Sequence, residues 1–138
     1  MTRRTSLPDH AGRLALAWVF LRAGSDVLRD PSRAARTAGP LLGRLRRRAP
    51  VALPDDAVLV RANAATQVAA GALLAAGVAE RPAAMVLAAS LLPTTLAGHA
   101  YWTVEDRAQR PNQRNHFNKN LAIMGALVLA ARRRPGPG

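Results

Sequence analysis

Two histidines and the only lysine of the chain fall within one stretch, Pro93 to Gly125, which leaves one apolar segment and enters another. His116 and Lys119 stand three apart, so on a helix they share a face. His99 lies near the end of the preceding apolar segment and can face them. A lysine at an apolar boundary donates to a carbonyl oxygen or stabilises developing negative charge, and desolvation favours giving up its proton. A histidine beside it passes protons. Donors for carbonyl oxygens, a proton source and an apolar wall are the parts a site for reducing a quinone-like compound needs. Trp102 and Asn120 flank the three residues and complete the candidate ligand contacts on these segments. A competing assignment fits the same residues. Lys119 can pair with Asp106 or Asp26 while the histidines cap helix ends, because buried ion pairs often serve only to hold helices together.

Arg22 and Asp26 form a second candidate group. Their i, i+4 spacing permits an ion pair that seals the bundle end, or leaves Arg22 to take an anionic sulfur species or a lipid headgroup. Arg61, at the head of the next apolar segment, joins them as a candidate. A metal site built from His99, His116 and Asp106 or Glu105 is not expected, because two histidines on different helices lack a tight ligand spacing. With no cysteine in 138 residues, thiol catalysis, disulfides and cysteine metal sites are excluded for this chain.

The elements that must position these residues are apolar helices. Residues 82–102 run for 21 positions without a formal charge and residues 62–79 for 18, each long enough to cross a hydrocarbon core of about 30 Å. Both are apolar all round, leaving no face for water, which argues against a soluble bundle. Two outer helices are interrupted by charge. The first carries Arg13, Arg22 and Asp26, and the last has only twelve uncharged residues, Asn120 to Ala131. Such spans hold only when packed, with their polar groups turned inward. Gly71 with Ala75, and Ala122 with Ala126 and Ala130, give small-residue stripes for close packing.

The predicted fold is therefore all-α, a four-helix transmembrane bundle running up-down-up-down, with helices at about 11–30, 57–79, 82–102 and 114–131. Glu80-Arg81-Pro82 forms the tight turn between the middle pair. Pro93 removes a backbone hydrogen bond inside the third helix, and Thr94 and Thr95 can satisfy the freed carbonyls. Residues 31–55 are a basic loop, with a short amphipathic segment on the lipid surface as one option, and 132–138 a flexible tail. The N-terminus superficially resembles a secretory signal, but the residues after its apolar run make a poor cleavage site. This connectivity brings Arg22, Asp26, Arg61, Asn63, Gln67, Thr94, Thr95, His99, Trp102, Asp106, Gln113, His116, Lys119 and Asn120 to one end, which is where a site belongs.

The net charge of +12 sits in blocks between apolar runs, among them Arg44 with Arg46 to Arg48, and Arg107, Arg110 and Arg114. Basic blocks flanking apolar spans suit an anionic membrane surface. They come with no nucleic-acid motif and no interleaved aromatics, so nucleic acid is excluded as a partner. Eleven cations lie in the two long loops and at the start of the last helix, and seven on the other side, a modest bias that puts the loop end in the cytoplasm.

With these residues set out, the chain resembles the DoxX family of small bacterial membrane proteins over about residues 11–131. The resemblance rests on Ala23-Gly24, the Arg29-Asp30-Pro31 exit and Arg61-Ala62-Asn63. It rests further on Pro93-Thr94-Thr95, Gly98-His99 with Trp102, and His116-Phe117-Asn118-Lys119-Asn120-Leu121 with Gly125. Tyr101 stands where a Phe is expected and Ala126 where a second Gly is common. The resemblance implies a multi-pass protein of the cytoplasmic membrane whose relatives are associated with thiosulfate oxidation coupled to quinone, or with resistance to oxidative and thiol stress. Two functions fit. One is a redox-linked membrane subunit that binds a quinone-like ligand at the polar loop end and works with a soluble oxidoreductase. The other is a non-enzymatic anchor that recruits a soluble partner through its basic loops.

Overall fold

The computed structural model describes residues 7–132. Five helices account for most of them: α1 (Leu7–Arg29), α2 (Ser32–Arg48), α3 (Asp56–Ala76), α4 (Glu80–Gly98) and α5 (Arg110–Arg132), with a 3-10 turn at Tyr101–Thr103 before α5. No strand occurs among the described residues. The predicted helices correspond to α1, α3, α4 and α5, with α1 against α3, α3 against α4 and α4 against α5, while α1 barely meets α5. The bundle is thus open along one seam. Most of the predicted tail, residues 133–138, lies outside the described residues; Arg132 closes α5.

α2 replaces most of the loop expected over 31–55; the amphipathic segment offered as an option there is a full helix, packed on α3 and α4. Pro40, Gly39 and Gly43 suggest irregular chain, but Ala34, Ala35, Ala38, Leu41 and Leu42 recur at helical spacing and turn inward, leaving Arg33, Arg36, Arg44, Arg47 and Arg48 exposed. Packing that apolar stripe on α3 and α4 outweighs the weak local propensity. The Asp30 carboxylate accepts the Ser32 N–H at 3.0 Å as the helix begins. Hydrogen bonding from Ser32, with Arg36 nearby, holds that carboxyl below its usual range. At the far end Arg46 pairs with Asp56 and donates to the Pro54 carbonyl, tying α2 to the start of α3.

The turn between α3 and α4 falls at 77–79 rather than at 80–82. Gly77 takes the left-handed conformation (φ 72°) that ends α3, and Ala79 follows at φ 50°. Pro82 then sits in the first turn of α4, where no intrahelical N–H is required. Arg13 of α1 pairs with Glu80, and the Arg81 Nε–H donates to the Ala131 carbonyl at 2.9 Å. These two contacts fasten the end of the bundle opposite the long loops.

Alanine dominates the core. Ala17 and Phe20 from α1 meet Ala70 and Leu74 from α3, Ala83, Ala84, Leu87 and Leu91 from α4, and Leu127 and Ala131 from α5. Small side chains let the backbones close in. A Cβ on Gly24 would lie 2.9 Å from the Ala64 carbonyl oxygen and 2.8 Å from Val68 Cγ2, so α1 and α3 touch almost backbone to backbone there. Gly71, in one of the expected small-residue stripes, lies against Leu21 and the Ala17 carbonyl.

α3 and the run Glu80–Thr103 are long and apolar enough to cross a membrane, yet only 28% and 33% of their most apolar windows are buried. Leu73, Met85, Leu92 and, on α5, Leu129 point outward. That much outward apolar surface fits a hydrocarbon environment and not water.

Candidate functional site

α4 stops at Gly98, short of the expected residue 102, and His99 caps it with its own N–H donated to the Thr95 carbonyl at 2.9 Å. The consequence is positional. The His99 ring leaves the axis of α4 and stacks on that of His116 from α5, with centroids 4.9 Å apart and planes 16° from parallel.

Neighbours fix the tautomers of this stack. The Gln113 Oε1 accepts from His99 Nδ1 at 2.8 Å, which leaves Nε2 of His99 as an acceptor. Lys119, one turn below His116, places its Nζ 3.4 Å from His116 Nδ1. An ammonium only donates, so that Nδ1 accepts and the His116 proton resides on Nε2. Gln113, His99, His116 and Lys119 therefore form one connected polar line along the α4/α5 junction.

The competing assignment for Lys119 is not what the structure shows. Asp26 pairs with Arg22 and, at 3.6 Å, with Arg29. Asp106 accepts the Ala108 N–H at 2.9 Å and the Gln109 amide at 3.0 Å within its own turn. Among the described residues Lys119 has no carboxylate partner, and its side chain is exposed on the outer side of α5.

The remaining candidates separate into distinct places. Asn120 is 8% exposed, and its amide donates to Thr95 Oγ1 at 3.1 Å, so it joins α5 to α4 and has no open face. Thr95 in turn donates to the Leu91 carbonyl at 2.7 Å, and Thr94 to the Ser90 carbonyl at 3.2 Å. Neither threonine reaches the Ala89 carbonyl that Pro93 leaves without a donor. Thr94 also accepts from Asn63 at 3.2 Å and Gln67 at 3.5 Å, which extends the polar seam to α3. Trp102 packs edge-on with Tyr101 and Phe117 at 5.2 and 5.6 Å, an aromatic group beside the histidine stack. Arg22 and Asp26 lie on α1, where Arg22 shares a shallow lateral recess with Trp18, Leu21, Ser25 and Arg29. Arg61 is exposed on α3 and enters none of these contacts.

Gln113 is a site residue that sequence reasoning grouped at this end without assigning it a role, and Thr95 is one it expected only to satisfy the carbonyls freed by Pro93. A signal existed for both. Gln113 precedes His116 by three positions and Thr95 precedes His99 by four, so each shares a helical face with a candidate histidine.

Such a fold, with apolar helices turned outward and a polar cluster at one end, defines a small helical integral membrane protein. The family model for DoxX matches residues 9–100, and the chain belongs to the DoxX family. It is a bacterial membrane protein. Inner membrane protein YphA of Escherichia coli (strain K12) is 39% identical over 70 residues, which cover 51% of this chain and 49% of that protein. The match thus spans about half the length of that relative. No solved structure matches the chain. The family match ends at residue 100, so it takes in His99 but leaves α5, with Gln113, His116 and Lys119, beyond it.

Proposed function

We propose that this DoxX-family protein is a redox-linked membrane subunit that binds a quinone-like carbonyl compound against the His99–His116–Lys119 face and passes reducing equivalents with a soluble oxidoreductase. The observation that carries the reading is the Lys119 ammonium, exposed on α5, without a carboxylate partner among the described residues and 3.4 Å from His116 Nδ1. These residues fit such a ligand: Lys119 donates to a carbonyl oxygen, and the outward face of α5 admits a compound arriving from lipid. A bound quinone would supply the electron-accepting carbonyls. The chain supplies the rest. Lys119 orients the oxygen, the His116 Nε2–H lies within the same group as a proton donor, and Gln113 keeps the His99 ring in register behind it. A chain without cysteine brings no electron carrier of its own, so a redox partner is part of this reading. The cationic bias of the loop end supports a cytoplasmic orientation for this face.

The test is organic extraction of the gently purified protein followed by mass spectrometry, comparing wild type with Lys119→Ala at equal folded yield. Near-stoichiometric quinone in the wild type, lost in the variant, is expected. Bulk lipid alone, equal in both, rejects the reading.

One observation favours a second reading. The exposed arginines of α2 make a basic face that suits a non-enzymatic anchor for an acidic soluble partner. Charge reversal at Arg44, Arg47 and Arg48 would release that partner and leave Lys119→Ala silent, the opposite of the pattern expected for the redox subunit.

A further inference from the structure

Beside the histidine stack, and separate from it, a cleft of about 440 Å³ opens between the 3-10 turn and the start of α5. Tyr101, Trp102 and Pro111 form its apolar side, and Arg107, Arg110 and Arg114 its cationic side. The three arginines are exposed and take part in no ion pair among the described residues. The neighbouring Asp106 carboxylate accepts from Ala108 and Gln109 within its own loop, and neither it nor Glu105 forms an ion pair with the three arginines, which outnumber the two carboxylates. One of the three is held in place, since Arg110 donates through Nε to the Val104 carbonyl at 2.7 Å, leaving its terminal nitrogens for another acceptor.

Three guanidinium groups gathered around one concavity repel one another unless an anion joins them, and the guanidinium fork matches the oxygens of a phosphate. Depth points to the same chemistry. The cleft lies at the end of the apolar run Glu80–Thr103, and Trp102, 55% exposed, stands at its rim. An amphipathic ring at the end of an apolar span marks the level of lipid headgroups.

We infer that the Tyr101–Trp102–Arg107–Arg110–Arg114 cleft binds a phosphate ester, with the phosphate on the arginines and the glycerol and upper chain of an acidic phospholipid on the aromatic side. The inference does not rest on quinone binding, because Lys119 and both stacked histidines lie outside the cleft and Trp102 alone is common to it and the candidate ligand contacts.

The experiment places the full chain in phosphatidylcholine nanodiscs doped with phosphatidylglycerol and measures retained phosphatidylglycerol by native mass spectrometry. Wild type is compared with Arg107→Gln/Arg114→Gln, which spares Arg110 because it holds the turn. A control, Arg44→Gln/Arg47→Gln, removes the same charge from α2. Each lost arginine is expected to weaken selective retention about fivefold, and the control is expected to retain wild-type selectivity. Equal losses in both double variants would reduce the effect to general surface charge and overturn the site. If the glutamine variant does not fold, Arg107→Lys/Arg114→Lys keeps the charge but not the fork. It should lose selectivity, and full retention in that variant counts equally against the cleft. Soluble glycerol 3-phosphate distinguishes the source. Displacement of the lipid at comparable concentration assigns the phosphate site to a soluble ester, and no displacement assigns it to the membrane phospholipid.

Discussion

The imidazoles of His99 and His116 stack 4.9 Å apart although they belong to different helices and are separated by the whole turn from Ala100 to Gln109. Gln113 and Lys119 hold the two rings from opposite sides. In the proposed redox subunit the members of this line have unequal duties, which mutation can separate. Lys119 is exposed and its one polar contact among the described residues is to His116, so Lys119→Ala should leave stability within about 0.5 kcal/mol of wild type while removing the bound quinone. Thermal unfolding in detergent alongside ligand extraction checks both halves. A variant that loses ligand only because it unfolds assigns Lys119 to the fold instead.

Gln113 acts through His99 and not on the ligand. Gln113→Leu leaves the Nδ1–H of His99 without its acceptor, so the ring gains freedom to leave the stack. The expected result is quinone binding weakened about tenfold, near the 1–1.5 kcal/mol of one hydrogen bond. Gln113→Glu, which keeps an acceptor at that position, should restore binding. Equal losses in both variants would show that an acceptor for His99 at 113 is not what sustains binding.

Some of this arrangement was legible in the sequence, and the reason is local. The Arg22–Asp26 pair and the shared face of His116 and Lys119 follow from helical spacing within one helix. The partners that depend on how one helix is rotated against another were not legible. Thr95 as the acceptor for Asn120 and Gln113 as the acceptor for His99 required the relative rotation of α4 and α5. Arg61 shows the same limit from the other side. Connectivity brings it to the polar end, yet the rotation of α3 leaves it exposed. The amphipathic character of α2 was legible, but its length and its packing were hidden for a different reason: glycine and proline weigh against a helix locally, and only the surface offered by α3 and α4 rewards its apolar stripe.

The bond from Asn120 to Thr95 is buried between helices, and Thr95 keeps its own donation to the Leu91 carbonyl when Asn120 is lost. Interhelical hydrogen bonds in membrane proteins average about 0.6 kcal/mol, because the unfolded chain in the bilayer also finds partners. A double-mutant cycle of Asn120→Leu and Thr95→Val should therefore give a coupling energy of about 0.6–1 kcal/mol. Retention of quinone by Asn120→Leu at equal folded yield is also expected, since the Asn120 amide faces α4. Loss of ligand in that variant alone would return Asn120 to the binding face.

Two glycines on different helices should respond to the same substitution with opposite signs. Alanine is a better helix former than glycine by about 0.8–1 kcal/mol, so in open space Gly→Ala stabilises. Gly125 on α5 has nothing within 4 Å of where a Cβ would stand, and Gly125→Ala should gain most of that amount. At Gly24 the same methyl would meet the Ala64 carbonyl oxygen at 2.9 Å, a backbone atom that moves only if α1 and α3 part. Overpacking of this kind costs about 1–3 kcal/mol, on average more than the propensity gain, so Gly24→Ala should be destabilised by about 1 kcal/mol, the middle of the difference. Valine at position 24 should be worse, because its branches press further into Val68. The check is the unfolding midpoint of each variant in one detergent. Stabilisation at both positions would mean that α1 and α3 are not in backbone contact at Gly24, and the α1/α3 packing described above would then have to be redrawn.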